Sequence, residues 1–170
     1  MLQKCSNIKV LEIFFREPTK VHFIREISRS ISLAATSVKN HAKQLENEGL
    51  IAKIEHKPFT GYVAQRDDDI FRQYKQIYNL YSLIELKTKL INSLGPKAIV
   101  LFGSYQKGED IENSDIDLAV LSKVKKEMDL REFEKVLGRN IHLTFISDIG
   151  KIEKNIQVNI KNGWVIYGKV

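Results

Sequence analysis

The feature that most constrains the fold is an apolar segment that leads directly into a glycine and a serine. Residues 97–102 form an almost unbroken apolar run, as expected of a strand covered on both faces. Gly103 and Ser104 follow it, and after a polar loop residues 114–121 form a second strand-like segment. This part of the chain is therefore predicted to form a sheet with a Gly-Ser turn at the end of one strand.

Two aspartates lie one residue apart in the second of these segments. Alternation along a strand puts the carboxylates of Asp115 and Asp117 on the same face. Two adjacent carboxylates repel each other unless a cation lies between them, and Mg²⁺ or Mn²⁺ suits such oxygen ligands. The backbone N–H groups and hydroxyl of a Gly-Ser turn can approach phosphates. Together these features predict a site for metal-bound ATP or another nucleoside triphosphate.

The same residues resemble a known family. The segments Leu101-Phe102-Gly103-Ser104-Tyr105-Gln106-Lys107-Gly108 and Asn113-Ser114-Asp115-Ile116-Asp117-Leu118 are similar to the nucleotidyltransferase superfamily, especially its small minimal group in archaea and bacteria. The resemblance covers about residues 96–170. It implies a mixed sheet with flanking helices.

The resemblance also implies roles for individual residues. Gly103, Ser104 and Lys107 would bind the nucleotide, with Lys107 standing where many members have arginine. Asp115 and Asp117 would hold the metal and be the catalytic carboxylates. Minimal members of the family often act as antitoxins that modify a partner toxin, so a protein acceptor is a further expected partner.

One position departs from the family pattern. The family places a third carboxylate on a neighbouring strand, and His142 occupies that position within residues 140–146. An imidazole can ligate a metal, but it favours softer ions than Mg²⁺ and supplies no negative charge when neutral. Nucleotide binding is therefore expected, with His142 as a possible third metal ligand, while catalysis is left open.

The first third of the chain contains three helical patterns followed by a hairpin pattern. Apolar residues recur at helical spacing in residues 8–15, 23–30 and 35–48, and strand-like segments follow at residues 50–55 and 62–65. The stretch from Arg25 to Ile51, with its ending Leu45-Glu46-Asn47-Glu48-Gly49-Leu50-Ile51, resembles the winged helix-turn-helix of bacterial and archaeal transcription regulators.

That resemblance implies binding to double-stranded DNA through the helix at residues 35–48. Residues 1–66 contain 11 Lys and Arg against 6 Asp and Glu, and a basic surface attracts a polyanion. Polar side chains of such a helix reach base edges and phosphates, and basic residues of the wing reach the backbone. The candidate DNA-binding residues are Thr36, Ser37, Lys39, Asn40, Lys43, Lys57 and Arg66. A winged helix used for protein contacts is the alternative.

The segment between these two parts is predicted to be one long helix. Residues 68–94 contain no glycine or proline, and apolar residues recur at alternating spacings of four and three. The members of this heptad pattern are Ile70, Tyr74, Ile77, Tyr81, Ile84, Thr88 and Ile91. Such a helix either joins two copies into a homodimer, which would set the distance between their DNA-binding domains, or packs on the domains of its own chain. We favour the homodimer.

The sequence thus predicts an α+β protein with three parts: a winged helix-turn-helix at residues 1–66, a connecting and dimerisation helix at residues 67–95, and a nucleotidyltransferase-like domain at residues 96–170. No apolar run reaches the roughly 18 residues of a membrane span, and the N-terminus lacks the pattern of a signal peptide. With Cys5 as the only cysteine, no intrachain disulfide can form. We expect a soluble, cytoplasmic protein.

Three functions agree with these patterns. The first is a DNA-binding transcriptional regulator whose second domain senses a metal-bound nucleotide. The second is an active enzyme that moves a nucleoside monophosphate from ATP or another NTP to a hydroxyl group on a protein. The third is a partner-binding module without nucleotide chemistry. His142 favours the regulator over the enzyme.

Overall fold

The computed structural model describes residues 5–56, 59–123, 125–147 and 154–169. The chain divides into two compact units, Met1–Lys75 and Gln76–Val170. Among the described residues, no helix is both long and apolar enough to span a bilayer.

The first unit begins with three helices and continues into an antiparallel hairpin. Helix α1 is Ser6–Arg16, α2 is Ile24–Ser30 and α3 is Ala35–Asn47. Strand β1 is Ile51–His56, and its partner β2 is Phe59–Ala64. This element order agrees with the sequence analysis, and the winged helix-turn-helix assignment stays a prediction.

The helices of this unit each bury one face. Phe14 of α1, Ile27 of α2 and Val38 of α3 are completely buried. Ala42 and Leu45 follow Val38 at spacings of four and three, which places all three on one side of α3. The opposite side of α3 is therefore left for polar side chains.

His22 is part of the core of the first unit. It is only 1% exposed. Its backbone pairs with Tyr62 of β2, its Nε2 lies 3.0 Å from the carbonyl oxygen of Glu17, and its ring packs edge-on against Phe14 at 5.0 Å. This strand-like contact joins residues 40 positions apart, and no local pattern in the sequence indicates it.

The predicted single connecting helix is two helices. Helix α4 is Asp69–Ser82 and α5 is Ile84–Leu94, with Leu83 between them. The backbone N–H of Leu83 bonds to Leu80 at 3.4 Å, an i to i−3 bond that tightens the turn. Leu83 is 1% exposed and belongs to the core beneath the sheet of the second unit. The prediction of one continuous helix was therefore wrong, because α4 ends in this tightened turn before α5 begins.

A four-stranded mixed sheet forms the centre of the second unit. Its strands are β3 Ala98–Phe102, β4 Ile116–Leu121, β5 Ile141–Ile146 and β6 Trp164–Gly168, in the order β5-β4-β3-β6. The pair β4–β5 is parallel, and β3 is antiparallel to both β4 and β6. Three further helices are α6 Gly103–Lys107, α7 Arg131–Leu137 and α8 Lys154–Lys161. The predicted α+β class, with a mixed sheet and flanking helices, is confirmed.

Both faces of this sheet are covered by helices. One face carries Ile99 and Leu118 and packs with Leu90 of α5 and Leu137 of α7. The other face carries Val100, Ala119 and Leu121, and Ile160 of α8 packs against it. This two-sided burial explains why residues 98–102 are apolar without alternation.

Candidate functional site

The site lies where β3 ends and β4 and β5 begin. Strand β3 is antiparallel to β4, so its last residue, Phe102, lies opposite Asp117. Strand β5 is parallel to β4, and its second residue, His142, lies on the other side of Asp117. The strand order thus places Asp117 between the Gly-Ser turn and the imidazole.

Gly103 approaches the carboxylate of Asp117 so closely that any side chain at position 103 would require this carboxylate to move. A Cβ on Gly103 would lie 2.5 Å from Oδ2 of Asp117. Gly103 also has a φ of +79°, which favours glycine. The glycine of the motif therefore does two things: it lets the chain turn from β3 into α6, and it leaves space beside one carboxylate.

The two aspartates have different surroundings. Asp117 is in β4 and partly buried, with its Oδ1 3.5 Å from Nδ1 of His142. Asp115 lies just before β4 and is exposed, and its Oδ1 accepts a hydrogen bond from Nδ2 of Asn140 at 3.1 Å. The structure therefore gives each carboxylate one polar neighbour from the region of β5.

Burial raises the pKa of Asp117 above its usual value of 3.8. The charge and hydrogen bond of His142 lower this pKa, and the negative charge of Asp115 raises it further. The net effect is upward, so the ionised form of Asp117 is disfavoured in the folded protein. A bound cation would oppose this effect by stabilising the carboxylate.

Asp115 and Asp117 fit a magnesium ion that also takes ligands from a substrate. Among the described residues, no group of three His, Cys, Asp or Glu side chains is placed to hold a metal ion. Mg²⁺ commonly uses one or two carboxylates and completes its shell with waters and phosphate oxygens. Hard oxygen donors suit it better than the imidazole of His142, which faces Asp117. The donor set therefore agrees with a metal that arrives with a nucleotide.

The other residues predicted to bind nucleotide lie on α6. Ser104 is half-buried in the first turn, directly after Gly103. Lys107 is exposed at the last position of the helix. Ser104 thus lies next to the turn, whereas Lys107 is one helical turn further along.

The predicted DNA-binding residues lie mainly on the polar side of α3. Thr36, Lys39, Asn40 and Lys43 are exposed, at spacings that place them on the side opposite Val38, and Ser37 is half-buried. Arg66 is exposed and lies 3.8 Å from the carboxylate of Asp67. Lys57 lies outside the described residues.

Sequence reasoning missed Asn140. Its side chain holds Asp115, and its carbonyl oxygen accepts a hydrogen bond from the backbone N–H of Ile116 at 2.8 Å. The signal in the sequence was its position as the first residue of the strand predicted at residues 140–146. Asn140 and Asp115 are 25 positions apart, and no local sequence pattern predicts the strand order that brings them together.

We predict that Gly103→Ala weakens binding of Mg²⁺ and ATP at least tenfold, because the new Cβ displaces the carboxylate of Asp117. Equilibrium binding of a fluorescent ATP analogue in the presence of Mg²⁺ measures the effect. Gly95→Ala is the matched control, since Gly95 also has positive φ, +50°, but a Cβ there meets nothing within 4 Å. Both variants are expected to lose about 1–2 kcal/mol of stability from the backbone strain. Equal binding by the two variants would contradict this role of Gly103.

We predict that Asp117→Asn stabilises the metal-free protein at pH 7. The pKa of Asp117 is higher in the folded than in the unfolded protein, so its contribution to the stability of the folded protein is greatest at low pH, where this carboxyl is protonated in both states. That part of the free energy of unfolding is lost as the pH rises through the pKa of the folded state. Asparagine cannot ionise and so avoids that loss. The gain should shrink as the pH falls to about 3.8 and below, where aspartate is protonated in both states.

Urea unfolding at several pH values with EDTA present measures this gain. Glu127→Gln, at an exposed carboxylate of the same unit, is the control and should show no comparable gain. A gain for Asp117→Asn that is the same at pH 3 and pH 7 would disprove the electrostatic explanation.

Comparison with known proteins identifies the second unit. The family model described as "Polymerase beta, Nucleotidyltransferase" matches residues 84–169, about half of the chain. A solved structure described as "Crystal structure of the toxin-antitoxin with AMP-PNP" is similar at 25% sequence identity, with a TM-score of 0.39, over 54% of this chain and 74% of that chain. No curated protein matches significantly. On the evidence of the family model, this chain belongs to the polymerase beta nucleotidyltransferase family.

Proposed function

We propose that this protein is a DNA-binding transcriptional regulator whose nucleotidyltransferase domain binds a metal-bound nucleoside triphosphate. The observation that carries the nucleotide part is the close approach of Gly103 to Asp117, with Asp115 one residue away. Family membership supports the same assignment. In this proposal ATP or another NTP places its phosphates at Gly103 and Ser104, and Mg²⁺ or Mn²⁺ lies between them and the two carboxylates.

The histidine beside Asp117 favours a nucleotide sensor over a fast enzyme. The family pattern has a third carboxylate where this chain has His142, and the imidazole lies beside Asp117 instead of adding negative charge. A metal held by two carboxylates and the phosphates can still bind. With less negative charge around the metal and no third acid to activate a hydroxyl, turnover is expected to be slow.

The first unit supplies the DNA-binding part of the proposal. Its three helices and hairpin have the order of a winged helix-turn-helix, and α3 is the element that enters the major groove in that arrangement. Lys39 and Lys43 are exposed on α3, as are Thr36 and Asn40. The net charge of +5 on residues 1–66 supports attraction to DNA phosphates.

We further propose that the regulator is a homodimer joined through α4. Ile70, Tyr74 and Ile77 are 54%, 50% and 62% exposed, and their spacing of four and three places them in one line along the helix. A second copy of the same helix has the complementary heptad pattern. The two DNA-binding domains of the dimer would then bind two half-sites on DNA. A sedimenting species of monomer mass at micromolar concentration would remove this part of the proposal.

One observation favours an active transferase as the alternative. An open groove of about 320 Å³ is lined by residues that include Ser114, Glu134 and Asn140, and Asn140 donates a hydrogen bond to Asp115. It offers space for an acceptor such as a protein side chain. In that reaction the acceptor oxygen bonds to the α-phosphorus, the bond to pyrophosphate breaks, and the hydroxyl proton passes to the imidazole of His142.

ATP labelled at its α-phosphate separates the sensor from the enzyme. With Mg²⁺ and a lysate of the source cells, we expect the wild type to retain label reversibly without transferring it. The double variant Asp115→Asn/Asp117→Asn should lose retention, while Glu127→Gln keeps it. Stable label on a protein or nucleic acid, increased by His142→Asp, would establish the transferase instead. Absence of any retained label would reject the nucleotide site.

DNA binding is tested by its dependence on salt. Lys39→Ala and Lys43→Ala should each weaken binding and reduce the slope of log affinity against log salt by about 1, because each lysine contacts a phosphate. Lys89→Ala, at an exposed lysine of α5, is the matched control and should leave the slope unchanged. Fluorescence anisotropy with duplex DNA from upstream of the gene gives these slopes. Unchanged slopes in both α3 variants would mean that α3 does not contact the DNA backbone.

A further inference from the structure

A buried asparagine on α4 is bonded to the helix that begins at the Gly-Ser turn. Asn79 is 1% exposed. Its Nδ2 donates one hydrogen bond to the carbonyl oxygen of Tyr105 and another to Oδ1 of Asp110, each at 2.8 Å. Tyr105 follows Gly103 and Ser104 in α6, so this amide fixes the backbone directly after the proposed phosphate-binding residues.

A second contact fastens the same two helices. The hydroxyl groups of Ser82 and Tyr105 are 2.9 Å apart. Tyr105 is 4% exposed and is part of the core that includes Leu83. Helix α4 therefore contacts α6 through a backbone carbonyl and through a side chain, and movement of α6 would require these bonds to change.

The same network reaches the other side of the site. Asp110 forms a buried ion pair with Arg139 at 3.4 Å, with their side chains 1% and 6% exposed. Arg139 also donates to the carbonyl oxygen of Gly138. The next residue, Asn140, holds Asp115. Asn79 is thus connected to both sides of the carboxylate pair.

Stability alone is a weak reason for burying these groups. Removing two charges from water has a large desolvation cost, and an apolar set of similar volume is often at least as stable. A buried polar network does, however, specify one relative position of the elements that it joins. The division between the two compact units falls within α4, so Asp69–Lys75 belong to the first unit and Gln76–Ser82 to the second.

We propose that Asn79 is a positioning residue that couples nucleotide binding at α6 to DNA binding by the first unit, through α4. This inference rests on the proposed function and names the regulation of its nucleotide site. A nucleotide that binds Gly103 and Ser104 changes the equilibrium position of α6. The bonds of Asn79 transmit that change to α4, which continues into the first unit.

The test measures a coupling ratio, the DNA dissociation constant without nucleotide divided by that with it. The nucleotide is the non-transferable analogue α,β-methylene-ATP with Mg²⁺, and the DNA is the upstream duplex. For the wild type we expect the ratio to differ from 1 by at least fivefold in either direction. Linkage requires DNA to change the affinity for the analogue by the same factor, which is an internal check.

Asn79→Leu keeps a side chain of similar size but removes both hydrogen bonds. We expect its ratio to fall to about 1. Asn92→Leu makes the same substitution at an exposed position of α5 and should keep the wild-type ratio. A purely structural role for Asn79 would lower the stability, seen in the unfolding midpoint, while leaving the ratio unchanged.

Tyr105→Phe serves if Asn79→Leu fails to fold. It removes the hydroxyl group that contacts Ser82 and should bring the ratio closer to 1 without unfolding the protein. Independent binding of analogue and DNA by the wild type overturns the coupling while leaving the proposed function intact. If the folded Asn79→Leu variant keeps the wild-type coupling ratio, the role of the network is overturned. The same holds for Tyr105→Phe where that variant is used. Failure of either ligand to bind overturns the proposed function and, with it, this inference.

Discussion

The close approach of Gly103 to Asp117 is the contact on which the site depends. It requires β3 to end at Phe102 and to lie antiparallel to β4, because only that register brings the turn to the carboxylate. It also requires a glycine, since a Cβ would lie 2.5 Å from the carboxylate oxygen. Burial raises the pKa of Asp117, so its ionised form is disfavoured unless a cation is bound. The same packing that forms the sheet therefore prepares a site for a positive charge.

The histidine at position 142 and the buried network around Asn79 both support the proposed nucleotide sensor. The imidazole of His142 lies beside Asp117, at the position where the resemblance to the family implies an acid, and the Gly-Ser turn and both aspartates are present. Meanwhile Asn79 and Asp110 hold the backbone around the turn from a helix that begins in the other compact unit. The proposed sensor requires this connection between the two units, whereas a third carboxylate would serve catalysis.

The apolar residues of the connecting segment separate into two groups with different roles. Leu83, Leu86 and Leu90 enter the core beneath the sheet, and Leu83 lies between α4 and α5. Ile70 and Ile77 remain exposed on α4 and are available to a second copy. The sequence pattern drew attention to the heptad residues, but the leucines between them pack in the core.

The sequence by itself determined the local parts: the order of three helices and a hairpin in the first unit, the unbroken apolar strand β3, and the motif that contains Gly103, Asp115 and Asp117. Each of these depends on residues close together in the chain, where periodicity and turn chemistry act directly. Only the tertiary structure decided the burial of His22, the two-helix connection and the bonds of Asn79 and Asn140. These depend on contacts between residues up to 40 positions apart, for which the sequence carries no local signal.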